Sequence, residues 1–218
     1  MVKVLLLRSF SQRRVGRRTM LSRGRIFRIS GVPGSGKTTI TALLLKRVQE
    51  ADGLFRCVNT RQIQCELAGV GSERQYREIP EEKRRELFPH LVQKITEIAD
   101  SHPEQVWFFE RHLCSMDDEG VIAVRGIPEG HGGRTVGLAL ILAHERQIAL
   151  WRRKDKKVRQ DRHLLSATQI AEEQIREAGL AAEAGQRWGF PVRLFFNRSG
   201  CSEKVADEIF AFMKGVVG

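Results

Sequence analysis

Gly31-Val32-Pro33-Gly34-Ser35-Gly36-Lys37-Thr38 matches the pattern G-x-x-x-x-G-K-[ST] at every fixed position. An apolar run, Ile26 to Ser30, precedes it, and an amphipathic stretch, Lys37 to Ala51, follows. That is the strand, loop and helix context in which the motif binds phosphate. Successive backbone N–H groups and the positive end of the helix wrap a β-phosphate, and the glycines let the chain approach the anion closely. Lys37 is placed to neutralise the β- and γ-phosphates and the Thr38 hydroxyl to ligate Mg²⁺, with Thr39 completing an ATP-binding stretch that begins at Gly31. The loop alone leaves open whether the γ-phosphoryl passes to water or to a second substrate.

Working outward, short apolar runs alternate with longer amphipathic ones, the pattern of a parallel sheet covered by helices. The runs predict five strands in one sheet: Ile26 to Ser30, Phe55 to Asn59, Val106 to Glu110, Leu138 to Ala143 and Val192 to Asn197. Lys37 to Ala51 places Ile40, Leu43, Leu44 and Val48 on one helical face. Pro80-Glu81-Glu82 reads as a first helical turn, followed by Leu87, Phe88, Leu91, Val92, Ile95 and Ile98 at helical spacing. Pro89 lies inside that pattern and is expected to kink the helix. Ser166 with Gln169 reads as a capping box opening a helix through Ile170, Ile175 and Ala178, which stops near Gly189 and Pro191. Ser202 is the expected cap of a last helix with its stripe at Val205, Ile209, Phe212 and Met213.

Lys and Arg total 37 against 26 Asp and Glu, a formal charge of +11. Nine of those basic residues and no acid fall within Met1 to Arg28, so the remaining body is nearly neutral, and high charge alone does not make a nucleic-acid-binding protein. Residues 1–24 read as a basic extension outside the fold, with an organellar transit segment or a true start at Met20 as the other readings. Residues 25–218 read as one domain. An apolar fraction of 41% excludes a disordered chain, and no apolar run approaches the roughly 20 residues that span a bilayer. Cys57, Cys65, Cys114 and Cys201 show no metal or disulfide spacing and suit a cytoplasmic protein with reduced thiols.

Arg152 to Arg162 holds seven basic and two acidic residues after the fourth strand. A phosphoryl group in flight spreads negative charge over its oxygens, which converging cations stabilise, so a basic segment opposite the phosphate loop suits a closing lid. A solvated helix face and a nucleic-acid contact are the rival readings.

The phosphate loop, the helix with an acidic start, Glu110-Arg111-His112 after the third strand, Gly126-Ile127-Pro128, the Arg152 to Arg162 segment and Asn197-Arg198-Ser199-Gly200 follow one another in a particular order. That succession resembles adenylate kinases of the archaeal type, from about residue 25 to the end. The resemblance implies an α/β P-loop NTPase fold, a three-layer sandwich around a five-stranded parallel sheet with a short lid and a nucleotide-acceptor segment. It implies a cytoplasmic phosphotransferase that uses Mg²⁺ and turns ATP and AMP into two ADP, often as a trimer, without membrane or nucleic-acid partners. Carried over, Arg77 in Gln75-Tyr76-Arg77-Glu78-Ile79-Pro80 grips the monophosphate, Lys37, Arg153, Arg159 and Arg162 are catalytic, and Asn197 belongs to the ATP site. Where the family carries Asp-Thr-His or similar, this chain has Glu110-Arg111-His112; Glu110 keeps a carboxylate able to organise Mg²⁺. His112 either contacts the monophosphate or satisfies a core hydrogen bond. Gly130-His131-Gly132-Gly133-Arg134 stands where family members are more hydrophobic and bears on base specificity; Arg28 is out of place in a central strand. Two other classes remain: a P-loop ATPase acting on RNA or ribosomal particles, and a kinase of another small acceptor, for whose hydroxyl Glu110 is the candidate base.

Overall fold

A computed structural model describes residues 23–51, 53–116, 119–156 and 164–218. In chain order the elements are β1 (Arg25–Ser30), α1 (Lys37–Gln49), β2 (Phe55–Cys57), α2 (Thr60–Ala68), α3 (Glu73–Glu78), α4 (Glu81–Glu86), α5 (Phe88–Ser101) and β3 (Val106–Glu110). They continue with β4 (Cys114–Met116), β5 (Ile122–Val124), α6 (Glu129–Gly132), β6 (Thr135–Leu142), α7 (Glu145–Lys156), α8 (Ala167–Trp188), β7 (Val192–Phe196) and α9 (Ser202–Val217).

The five predicted strands form one sheet in the order β2-β3-β1-β6-β7, every neighbouring pair parallel. Parallel strands buried on both faces need apolar residues throughout, and β1 supplies Ile26, Phe27 and Ile29, all fully buried. On one face, Phe27, Ile29, Phe108 and Ile141 pack against Ile40 and Leu44 of α1 and Ile209 and Met213 of α9. On the other, Ile26 and Phe109 meet Leu91 and Ile95 of α5, and Leu138 and Leu140 meet Ala181 of α8. Each of these large side chains contributes about 1.5–3 kcal/mol by leaving water. The result is a three-layer α/β P-loop fold. The register sets Ile29 opposite Glu110 and Ala139, so the carboxyl ends of β1, β3 and β6 finish together, where ligands bind in open parallel sheets.

Several expectations are corrected. The helix over Leu87 to Ile98 does not run through a kink. It breaks at Leu87 into α4 and α5, with Pro89 in the first turn of α5, where its missing N–H costs nothing. The cap position of α9 is Cys201, not Ser202; the Ser202 hydroxyl donates instead to Asn197 Oδ1 at 3.2 Å. The Ser166 and Gln169 capping box forms as expected, and α8 ends at Gly189 in the left-handed region. Its buried face carries Ile170 and Ala181 together with Glu173, Gln174 and Glu177, while Ile175 is 72% exposed. An antiparallel hairpin of β4 and β5, pairing Ser115 with Ala123, adds a second small sheet. No helix among the described residues is long and apolar enough to cross a membrane.

Candidate active site

The phosphate loop turns sharply at Gly31, Gly34 and Gly36, all with positive φ. At Gly36 (φ 92°) a Cβ would lie 2.3 Å from Asn197 Nδ2, so only glycine lets the loop pass under the end of β7. Asn197 is fully buried and donates to the Ser35 carbonyl at 2.9 Å while accepting from Ser202, fixing the loop from below. Lys37 lies over the loop, its ammonium donating to the carbonyls of Gly31 and of Val32 at 2.9 Å. Thr38 and Thr39 face solvent at the start of α1, where the helix dipole favours an anion.

The polar face of α8 holds the loop in place. Glu177 accepts from the Ser30 hydroxyl (2.6 Å), the Gly31 amide (3.1 Å), the Leu113 amide (2.8 Å) and the Cys114 amide (2.7 Å), so one carboxylate ties the start of the phosphate loop to the chain leaving β3. Gln174 accepts from the Ala143 amide at 3.0 Å at the end of β6. Beside Glu177 and Glu173, burial pushes the Cys114 thiol up.

At the end of β3, Glu110 Oε1 accepts from the Thr38 hydroxyl at 2.9 Å and from Arg61 at 3.4 Å. Glu110 Oε2 is buried with no hydrogen-bond partner among the described residues. A hydroxyl and a carboxylate with a spare oxygen beside a phosphate loop form a hard oxygen donor set, which fits Mg²⁺.

Two cavities open at this sheet edge. The first, of about 710 Å³, is lined by Gly34, Gly36, Lys37, Thr38, Thr39, Trp151 and Asn197, on the side of the phosphate loop. The second, of about 660 Å³, has an apolar wall of Leu67, Leu87, Phe88 and Val121, and a polar one that includes Tyr76 and Arg77. Arg77 is ion-paired to Glu73, which also holds Arg61 at 3.5 Å. Pro33, Arg61, Gln64, Arg111, His112 and Arg125 line both cavities, which therefore meet at a cationic mouth.

The loop residues, Asn197, Arg77, Glu110 and His112 thus converge on one region. Between the two readings of His112, its place is on the cavity wall, not in the core. Arg153 is exposed and lines neither cavity; its neighbour Arg152 points inward, nearly fully buried, onto the Pro33 carbonyl at 2.8 Å. Arg159 and Arg162 lie outside the described residues, as do residues 1–22. His131 is buried under α5 and lines neither cavity, and Gly132 lies against the Trp188 ring, so the Gly130 to Arg134 stretch is packing. Sequence reasoning missed Arg61, Arg84, Arg111 and Arg125. Two of them carry a topological signal: Arg61 and Arg111 sit just past the carboxyl ends of adjacent parallel strands, whereas Arg84 lies within α4 and Arg125 follows the hairpin strand β5.

The arginines at the mouth crowd one another. Burial, and then the charge of Arg125, pushes Arg111 down to about 10, and burial likewise lowers Arg125. Burial raises the Tyr76 phenol while Arg84, Arg111 and Arg125 all pull it down.

No protein-family model matches the chain. It is 39% identical to the adenylate kinase of Pyrococcus furiosus over 79 residues, 34% of this chain and 39% of that protein. To the adenylate kinase of Pyrococcus horikoshii it is 35% identical over 79 residues, with the same coverage. The chain thus spans about two-fifths of the length of the curated relatives it matches. Among solved structures, shikimate kinase from Bacteroides thetaiotaomicron aligns at TM-score 0.47 and 12% identity, covering 87% of this chain and 98% of that one.

Proposed function

We propose that this protein is a nucleoside monophosphate kinase of adenylate kinase type, moving the γ-phosphoryl of ATP to AMP to give two ADP. The observation that carries the reading is the pair of cavities meeting at Arg61, Arg111, His112 and Arg125, one floored by the phosphate loop and one walled by apolar side chains and arginines. An ATPase needs only the first. The partial similarity to two adenylate kinases supports the same conclusion.

In this reading Gly31 to Thr39 and Asn197 hold ATP, and Lys37 turns from the loop carbonyls to the β- and γ-phosphates. Thr38 and Glu110 hold Mg²⁺, which when bound neutralises phosphate charge. AMP lies in the second cavity, its base against Leu87, Phe88 and Val121 and its phosphate facing Arg77 and His112. A phosphate oxygen of AMP is already anionic, so no strong base is needed, and positioning with charge stabilisation supplies the rate. Arg153, with Arg159 and Arg162, would close over the transferring group as a lid. The family resemblance adds a cytoplasmic setting and a trimeric assembly to the proposal, and residues 1–24 as an extension of a single kinase domain.

The test is ADP formation from Mg²⁺, ATP and each nucleoside monophosphate in turn. ADP formed rapidly with AMP alone among the acceptors supports the reading. Slow hydrolysis of ATP unchanged by any acceptor overturns it, and stimulation by RNA would then identify the ATPase alternative.

A further inference from the structure

Glu173 and Glu177 are fully buried on α8, and the phosphotransfer reading above gives neither of them a task. Apolar packing of that helix is supplied by Ile170 and Ala181. Burying two carboxylates is costly unless each is well bonded, so their partners define their role. They lie one helical turn apart, about 6 Å along the axis, and therefore on the same face.

Each bridges the same two segments. Glu177 Oε1 accepts from the Ser30 hydroxyl and the Gly31 amide at the start of the phosphate loop, and its two oxygens also accept from the Leu113 and Cys114 amides. Glu173 reaches the loop two residues further on, through Arg152, whose Nε donates to the Pro33 carbonyl, and its Oε1 accepts from the Met116 amide. Positions 31 and 33 of the loop are thus tied to 113–114 and 116, with α8 as the shared member between them. The loop floors the first cavity. The segment from Leu113 leads into the hairpin, which with the residue after it supplies Ser115, Met116, Val121, Ala123 and Arg125 to the second.

Resting on the phosphotransfer reading, we propose that Glu173 and Glu177 are positioning residues that fasten the phosphate loop and the acceptor hairpin into one unit, so that filling the loop prepares the second cavity for the acceptor. A phosphate held by the loop amides fixes the loop. The same two carboxylates then fix Leu113, Cys114 and Met116, so the acceptor meets a wall whose ordering cost has already been met. By linkage, a bound acceptor favours the triphosphate by the same factor.

The experiment measures AMP binding to the full chain by calorimetry, with and without a non-hydrolysable ATP analogue in the loop, in wild type, Glu177→Gln and Glu173→Gln. A glutamine turns an N–H toward one set of donors, which breaks one side of each bridge while keeping the volume. In wild type the analogue should tighten AMP binding about 5-fold or more, and in each variant by less than about twofold. A general weakening of the site lowers both AMP affinities alike and leaves their ratio, whereas a severed bridge removes it. Glu172→Gln, exposed on the same helix, should keep the wild-type ratio. A wild-type ratio near one, or a ratio that either variant retains, overturns the coupling even where AMP is phosphorylated.

Amide hydrogen exchange decides the matter where AMP does not bind or a variant does not fold. The analogue alone should slow exchange at Leu113 and Cys114 about 10-fold in wild type, and no slowing there overturns the proposal. If AMP neither binds nor reacts, the kinase reading fails by itself, and slowing that Glu177→Gln abolishes still upholds the bridge.

Discussion

Arg152 Nη2 and Glu173 Oε2 form a buried ion pair at 2.5 Å that joins α7 to α8 beneath the phosphate loop. The pair does not stand alone. Arg152 Nε donates to the Pro33 carbonyl, and Glu173 Oε1 accepts from the Met116 amide at 2.8 Å. One pair therefore links the loop, the hairpin and the segment leading to the proposed lid. A buried pair of this kind contributes little net stability against an apolar replacement, but losing one partner strands the other charge.

Glu173→Ala should accordingly destabilise the protein by about 3–5 kcal/mol, since it leaves Arg152 buried without its carboxylate. The double variant Arg152→Met, Glu173→Leu should cost clearly less than the single one. Urea unfolding midpoints of the three proteins decide the matter. A double variant no better than Glu173→Ala would mean that the pair is not the stabilising unit.

Lys37→Ala should leave the fold intact and lower ADP formation from ATP and AMP by about 10²-fold or more, in line with removal of one charge-stabilising donor. Steady-state rates measured beside a melting curve separate the two effects. A rate within about twofold of wild type would remove Lys37 from the mechanism.

Much of this was legible in advance because of how parallel sheets are built. Strands buried on both faces read as apolar runs, so β1, β3 and β6 stand out, and the phosphate loop is contiguous. The short elements carry no such signal: α3 buries nothing and α2 only Ile63, while β4 and β5 are three residues each. In a sequence Glu173 and Glu177 look like solvent-facing charges on an amphipathic helix, because their partners are backbone amides of remote loops. The same holds for Arg61, Arg111 and Arg125, which converge from separate strand ends and share no local spacing. A sequence pattern records neighbours along the chain, and these residues become neighbours only once the sheet has formed.

Arg28 illustrates a cost the sequence could not weigh. It points from β1 into the core, its guanidinium carbon 4.9 Å from the Phe109 centroid and Nη1 3.4 Å from His131 Nδ1, while Nη2 has no partner among the described residues. Burial, then repulsion from Arg111, pushes its pKa down to about 9. Arg28→Met keeps the stem's volume and removes the buried charge, so it should be neutral to about 3 kcal/mol stabilising in urea unfolding. A loss of more than about 1 kcal/mol would show that the stacking on Phe109 and the bond to His131 outweigh the desolvation.

His131 gives the fold a sensitivity to acid. Its Nε2 donates to the Val92 carbonyl at 3.0 Å and its Nδ1 accepts from Arg28, the pattern of a neutral ring. Burial first, then the charge of Arg28, with Arg111 and Arg134 adding to it, hold its pKa at about 4 against 6.5 when unfolded, and the Val92 carbonyl opposes them only partly. Between those values the unfolded chain binds the extra proton, so stability rises with pH across the window and falls as pH drops from about 6.5 to 4. The full loss is on the order of 3 kcal/mol. Urea unfolding of wild type and His131→Gln at pH 7 and pH 5 isolates the contribution from that of the carboxylates. The wild type should lose more stability than the variant over that interval, and equal losses would mean that His131 takes up its proton in the folded protein as readily as in the unfolded chain.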